Sequence, residues 1–442
     1  AEDPLVHSWA SYYLSGQVIL TLLTLSTAYI PWWPMPLLRF ALLGLLILYW
    51  ITMGIRRRGE WQVAGSALGI LGFMAALLVV FPSVFIVTQY VPLYEWDARS
   101  NWFFHGKSLF LDGGIHEAFF TNPFTEWSHH DYPLLIPAQS AWSALFLGEW
   151  NDYTNKAFLL FNFAAYFHLF FKALSGRGYP WWLAGVIAVL TFDQESYSYV
   201  SGYADNHYTI ALLLALLLMA LPGRAARIPM IVVLFAFAAN AKNEGLVYGM
   251  IIGVLLAVVA CLAWLKNRGA VTGGFAARRK MVAWTLLVAV LPVVLWQVFR
   301  LSHGIRNDLD LGDRLTDAAL MAHLWHERWR MVAGFIGDFY LTQGGFILLT
   351  LAFLLWLWRI LLLSRDPQPW LGTQGHERLA WTVWAASQAF VFGVYIATPR
   401  DIVFHLSTSA TRLQFFPYMM LWLLCLYSAD SLLTGILRER AE

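Results

Sequence analysis

Five short segments of this chain hold residues able to do acid–base or anion-binding chemistry. The first is Glu95-Trp96-Asp97-Ala98-Arg99. Asp97 is bracketed by Tyr94, Trp96 and Trp102, and aromatic surroundings that exclude water raise a carboxylate towards the range of a general base. Arg99 and Lys107 follow on the same stretch and suit an anionic partner such as a lipid phosphate. The plain alternative is that Asp97 is a solvated loop charge.

The second segment, His129-His130-Asp131-Tyr132-Pro133, leaves three readings open. A divalent metal sits on His130 and Asp131, the imidazoles hydrogen-bond a substrate, or Asp131 caps a helix entered at Pro133. In the third, Gly202-Tyr203-Ala204-Asp205-Asn206-His207, Asp205 is either a helix N-cap or a second carboxylate facing a cavity. The fourth, Lys242-Asn243-Glu244-Gly245, is wedged between two apolar runs. Lys242 and Glu244 either ease a tight turn as a pair, or serve function, since charges at membrane depth are costly. The fifth is Thr398-Pro399-Arg400-Asp401 with His405 and Arg412. Its guanidinium groups either snorkel to lipid headgroups or clamp a phosphate in bidentate fashion.

The elements that must position these residues are apolar. Of 442 residues, 59% are hydrophobic and 13% charged, with mean hydropathy +0.57. A soluble domain carries about twice that share of charge, so a single water-soluble globule and a disordered chain are both excluded. The 29 Lys and Arg nearly cancel the 27 Asp and Glu, which excludes a strongly basic nucleic-acid binder. Cys261 and Cys425 lie inside apolar runs and build no disulfide framework. The expected class is an all-α polytopic membrane protein.

About 20 apolar residues make one crossing. The runs at 12–30, 37–55, 63–89, 154–174, 180–193, 207–222, 227–240, 245–266, 281–301, 336–362, 379–397 and 412–436 give about twelve transmembrane helices. The stretch 90–153 then forms the one large outer loop, with surface-lying amphipathic helices near 98–111 and 133–149. Three parts result: N-terminal transmembrane helices over 1–89, the outer loop with its juxtamembrane helices over 90–153, and the remaining core over 154–442. Arg56-Arg57-Arg58 and most other basic residues fall on one side, which the positive-inside rule makes cytoplasmic. Both chain ends are then cytoplasmic, which argues against a cleaved signal peptide. Most of the 12 His and most carboxylates fall on the outer face. No phosphate-cradling glycine loop is present, which disfavours an ATP-driven pump.

In order and sidedness these segments resemble the GT-C superfamily of membrane glycosyltransferases. The resemblance is to the bacterial branch related to the Rgt lipopolysaccharide glycosyltransferases, the aminoarabinose transferase and the protein mannosyltransferases. It is carried by WDARSNWFFHGKSLF (96–110), HHDYPLLIP (129–137), GYAD (202–205), KNEG (242–245) and TPRDIVFHLSTSATRL (398–413). The resemblance implies a GT-C-like fold with outer juxtamembrane helices and a polyprenyl-phosphate-linked sugar as donor. It implies a glycan, lipid or protein hydroxyl as acceptor, and chemistry on the periplasmic or extracellular face of a bacterial cytoplasmic (inner) membrane.

Asp97 then matches the catalytic acidic residue. Arg99, Lys107, His129, His130, Asp205, Lys242, Glu244, Arg400 and Arg412 are expected to bind substrate or phosphate. No cofactor is firmly implied, and a divalent metal stays open at His130 and Asp131. More spans precede the acidic loop than the one that is commoner in the family. Membrane lipids are expected partners and nucleic acid is not. The competing expectations are a transporter or lipid flippase, and a non-catalytic subunit with the same fold.

Overall fold

The computed structural model describes residues 5, 8–30, 33–44, 63–193, 197–221, 226–266, 279–307, 309, 311–363 and 373–439. The Arg56-Arg57-Arg58 run and the second half of the 37–55 stretch lie outside the described residues, as do Arg224, Arg268, Arg278, Arg365 and Arg440. The described residues are all-helical, without strands.

Contacts divide the chain into two units, Ala1–Asn243 with Lys280–Ile305, and Glu244–Arg279 with Arg306–Glu442. The first unit opens with α1 (Trp9–Tyr29), which starts where the Ser8 hydroxyl accepts from the Ser11 amide at 3.3 Å. Then come α2 (Met35–Gly44), α3 (Val63–Val80) and α4 (Pro82–Tyr90). The sequence reads 63–89 as one span. Instead α3 and α4 meet at 97°, with Phe81 in a non-helical conformation and Pro82 starting α4. Proline has no N–H to donate and is stable at a first helical turn, so the bend falls where the ladder is already broken.

The large loop folds into α5 (Phe103–Asp112), the short α6 (Glu117–Phe120) and α7 (Leu135–Leu147). The expected surface-lying helix at 133–149 is the opposite of that: α7 is buried on nearly every side, from Leu135 to Leu145. A helix apolar all round has no polar face to give to water, so it goes inside. It is enclosed by α1, by α5, by α8 (Ala157–Gly176) and by α11 (Ile228–Ala241). The unit is completed by α9 (Trp181–Asp193) against α8, and by α10 (Asp205–Ala220) against α8 and α11.

The Lys280–Ser302 part of α13 (Arg279–Ser302) closes the core, where Trp142, Trp296, Phe120 and Phe299 pack with Leu25 and Leu134. Trp142 Nε1 donates to Thr24 Oγ1 at 2.9 Å, and the Tyr29 hydroxyl donates to the Leu295 carbonyl at 2.7 Å. The large-to-alanine cost of such buried tryptophans is about 3–5 kcal/mol.

The second unit holds α12 (Asn243–Lys266) from Glu244 onward. With it are α14 (Leu311–Thr316), α15 (Ala318–Thr342), α16 (Gly345–Leu363), α17 (Thr373–Ala397) and α18 (Ile402–Glu439). α18 packs against α16 and α17, and the ring of Tyr248 of α12 lies tilted 4.4 Å from that of Phe416 and edge-on 5.2 Å from that of Phe390. The stretch 336–362, read as one span, is two helices bent by 80° about Gly344. Gly344 has φ +69, a left-handed conformation that glycine alone takes without strain.

Among the described residues, Thr154–Gly176, Thr285–Ser302 and His376–Ala397 are long and apolar enough to cross a membrane. The count is up to 5 if each bent pair is one span. Helices stand at the other expected positions too. Several, such as α9 with 13 residues and α11 with 14, fall short of the usual crossing length of about 20.

Candidate functional site

Three of the five sequence segments, with Lys242 and Asn243 of a fourth, meet within the first unit. Asp97 is half-buried and already helical, with φ −64 and ψ −36, and makes no capping bond. It leads into a turn of π-helix, Ala98–Trp102, which buries Ala98, Ser100, Asn101 and Trp102. Single π turns widen a helix locally and are frequent at functional sites. Arg99 stays exposed, its guanidinium 6.0 Å from the Trp96 ring centre, and Lys107 is exposed on α5.

The loop before α10 presses against that turn. Gly202 has φ +100, and a Cβ there would stand 2.7 Å from Ala98 Cβ and 3.1 Å from the Phe103 ring. Only glycine permits this approach. The same loop holds Glu95: the Tyr197 and Tyr203 hydroxyls donate to Oε1 and Oε2, each at 2.9 Å, and Tyr197 also reaches the Tyr94 hydroxyl. Reading the sequence for chemistry singles out Asp97 and passes over this second carboxylate. The dense tyrosines of the 197–203 loop are the signal that marks it.

Asp205 is not an N-cap. Ala204 holds that position without a side-chain bond, and Asp205 is the first residue of α10. Its carboxylate favours the positive helix end and meets Lys242 Nζ at 2.8 Å, with both side chains buried. Lys242 ends α11, where a cation favours the negative pole. Lys242 Nζ also lies 5.9 Å from the Tyr132 ring centre.

The His129–Pro133 segment turns sharply. His129 has φ 56, the one non-glycine residue with positive φ among the described residues, and this swings its ring away from that of His130. His129 stacks on Tyr132 at 4.9 Å, and Tyr132 stacks on Trp102 at 5.0 Å, so a continuous aromatic pile runs back to the turn after Asp97. Asp131 is buried and does not cap α7, whose N-cap is Leu134. Instead Asp131 Oδ2 accepts from Asn243 Nδ2 at 2.7 Å, and its carbonyl accepts from Trp296 Nε1 at 3.2 Å.

His130 points into a separate cluster, with ring centres 5.8 Å from His105, 5.4 Å from Phe119 and 5.9 Å from Phe120. His105 Nε2 is 3.0 Å from the Ser128 hydroxyl. Burial, aided by the neighbouring imidazoles, pushes His105 down to about 3, and burial lowers His130 as well. Among the described residues no three His, Cys, Asp or Glu converge as a metal would require, so His130 and Asp131 find no third ligand there.

The remaining candidates lie in the second unit. Glu244 is half-buried in the first turn of α12. Arg400 is exposed, its amide donating to Thr398 Oγ1 at 3.2 Å. Arg412 does not open a helix as the sequence suggests: α18 begins at Ile402, and Arg412 Nη2 donates back to the Thr408 carbonyl at 3.1 Å.

Comparison of the chain with protein families, characterised proteins and solved structures gives no match.

Proposed function

We propose that the chain is a membrane glycosyltransferase of GT-C type that moves a sugar from a polyprenyl-phosphate carrier to an acceptor hydroxyl. It sits in a bacterial cytoplasmic (inner) membrane with its site on the periplasmic or extracellular face. The observation that supports this reading is the meeting of segments 95–102, 129–132, 202–205 and 242–243, through Gly202 on Ala98, Tyr132 on Trp102, Lys242 with Asp205 and Asn243 with Asp131, in the stretch that carries the half-buried Asp97. Asp97 removes the acceptor's proton as the hydroxyl attacks the anomeric carbon, with inversion. A departing phosphate needs no proton near neutral pH, so one base suffices where hydrolysis of an ordinary glycoside takes two carboxyl groups.

The exposed Arg99 and Lys107 of the first unit stabilise the leaving phosphate. Lys242 already faces Asp205, so both act by holding α10 to α11 rather than by touching substrate. His130, equally buried, supports the loop that carries His129. The acceptor is a glycan, lipid or protein hydroxyl.

The two bent helix pairs favour a second reading, a transporter or lipid flippase, because broken helices line transport cavities. One assay separates the readings. Purified protein is given polyprenyl-phosphate sugars and an acceptor extract, and released polyprenyl phosphate is followed by mass spectrometry. Release by the wild type that vanishes in Asp97→Asn supports the enzyme. A folded wild type that releases nothing from a broad panel of sugars overturns it in favour of the transporter or a non-catalytic subunit.

A further inference from the structure

Two arginines of the second unit converge on one carbonyl oxygen. Arg314 Nη1 donates to the carbonyls of Ala397 and Thr398 at 3.0 and 3.1 Å, and Arg328 Nη1 donates to those of Ile396 and Thr398 at 3.2 and 2.8 Å. The carbonyls are the last of α17, so one cation there has an ordinary role as a helix C-cap. A second is not needed for that. Sharing Thr398 O puts the two nitrogens within about 6 Å of each other, a spacing at which like charges raise each other's energy.

Among the described residues neither arginine has an ion pair, and the nearby Asp317 and Asp401 spend an oxygen each on the amides of Leu320 and Phe404. Each guanidinium has five N–H donors and uses Nη1 alone in these bonds, which leaves Nε and Nη2 of both for a shared oxyanion.

The surroundings say what carries that oxyanion. The apolar window of α17 ends at Ala397, so a crossing by this helix sets Thr398 at headgroup depth. Large apolar side chains stand exposed beside the pair: Leu315, Trp325, Trp329, Val403 and Phe404. Trp at such a boundary is characteristic of the membrane interface, and apolar groups next to free guanidinium donors match a phosphate joined to an acyl chain. We infer that Arg314 and Arg328 form a binding site for the phosphate headgroup of an anionic membrane lipid. The site needs no glycosyl transfer and uses none of the residues assigned to that reaction.

The test uses the purified full chain in neutral detergent, with no sugar donor present. It is titrated with phosphatidic acid, phosphatidylcholine or inorganic phosphate, and binding is followed by native mass spectrometry and by the melting temperature. Phosphatidic acid is expected to bind and raise the melting temperature, with phosphatidylcholine and inorganic phosphate far weaker. The double variant Arg314→Gln/Arg328→Gln should lose at least ten-fold in affinity, while Arg330→Gln, an exposed cation of the same helix, should not. Arg328→Lys keeps the charge without the planar fork and should weaken binding several-fold, which covers the case where the double variant does not fold. Asp97→Asn should bind as the wild type does, so failure of the catalytic reading leaves this result standing. Equal binding by wild type and variants overturns the inference, as does inorganic phosphate that matches phosphatidic acid at equal concentration.

Discussion

Lys242 and Asp205, 37 residues apart, form a buried ion pair of 2.8 Å that ties the last residue beyond α11 to the first residue of α10. Each charge sits at the helix pole that favours it, and each is dry. The pair therefore fixes the relative position of two loops, the one with Gly202 against Ala98 and the one with Asn243 against Asp131.

Removing one partner strands the other charge in an apolar interior. Lys242→Met and Asp205→Leu are each expected to lower stability by about 3–5 kcal/mol, because the uncompensated charge is costlier than the pair is favourable. The double variant Lys242→Met/Asp205→Leu should recover most of the loss. A double-mutant cycle on melting in detergent checks this. Additive losses would mean the two groups do not act as a pair.

The four segments were legible because polar residues stand out in an apolar chain, and each appears in sequence as a short cluster. Their meeting was not, since Asp205–Lys242 and Trp102–Tyr132 are contacts made through folding rather than spacing. Pro82 and Gly344 carry the signals for the two bends, but continuous hydropathy on both sides hides them within single expected spans. The burial of α7 follows from its all-round apolarity, which a reading by loop position set aside. Nothing in the sequence marks Arg314 and Arg328, because their partners are backbone carbonyls roughly 70 or more residues away.

Gly106 and Gly202 should reject even a methyl group. A Cβ on Gly106 would lie 1.9 Å from Ser140 Oγ and 2.9 Å from the Pro137 carbonyl, at the crossing of α5 and α7. Gly106→Ala is expected to cost about 1–3 kcal/mol through overpacking. Adding Ser140→Ala should recover only part, since the Pro137 oxygen is backbone and stays in place. Gly202→Ala should cost a similar amount, because it combines a 2.7 Å approach to Ala98 with φ +100. Melting temperatures of the three variants test the ranking.

Asp97 and Glu95 are expected to separate by size of effect. Asp97→Asn removes the proposed base and, on that proposal, should lower kcat by about 10²–10⁴-fold with the fold intact. Glu95→Gln keeps the shape but replaces one acceptor oxygen with a donor, so the charge-assisted bonds from Tyr197 and Tyr203 give way to weaker neutral ones, one of them reversed in direction. That should cost about 1–3 kcal/mol of local stability and leave a smaller defect in turnover. A Glu95→Gln defect as deep as that of Asp97→Asn would move the base to Glu95.

His105 and His130 make the large loop sensitive to acid. Burial disfavours the imidazolium of both, pushing His105 down to about 3 from an ordinary 6.5 and shifting His130 in the same direction. The unfolded chain therefore binds more protons between those values, and stability rises with pH there. The contribution is fully present above about pH 6.5 and drains as pH falls towards 3, at no more than about 1.4 kcal/mol per pH unit for each proton. The groups facing His105 are His130, His129 and the Ser128 hydroxyl, while Glu126 acts on His130 in the opposite sense by favouring its charge. Amide exchange over 103–130 should accelerate as the buffer is taken from pH 7 to pH 5, after correction for the intrinsic rate. His105→Phe removes the titrating ring, keeps the contact with Phe119 and Phe120, and should flatten that dependence. Exchange that stays unchanged across this range would place the protonation outside the His105–His130 cluster.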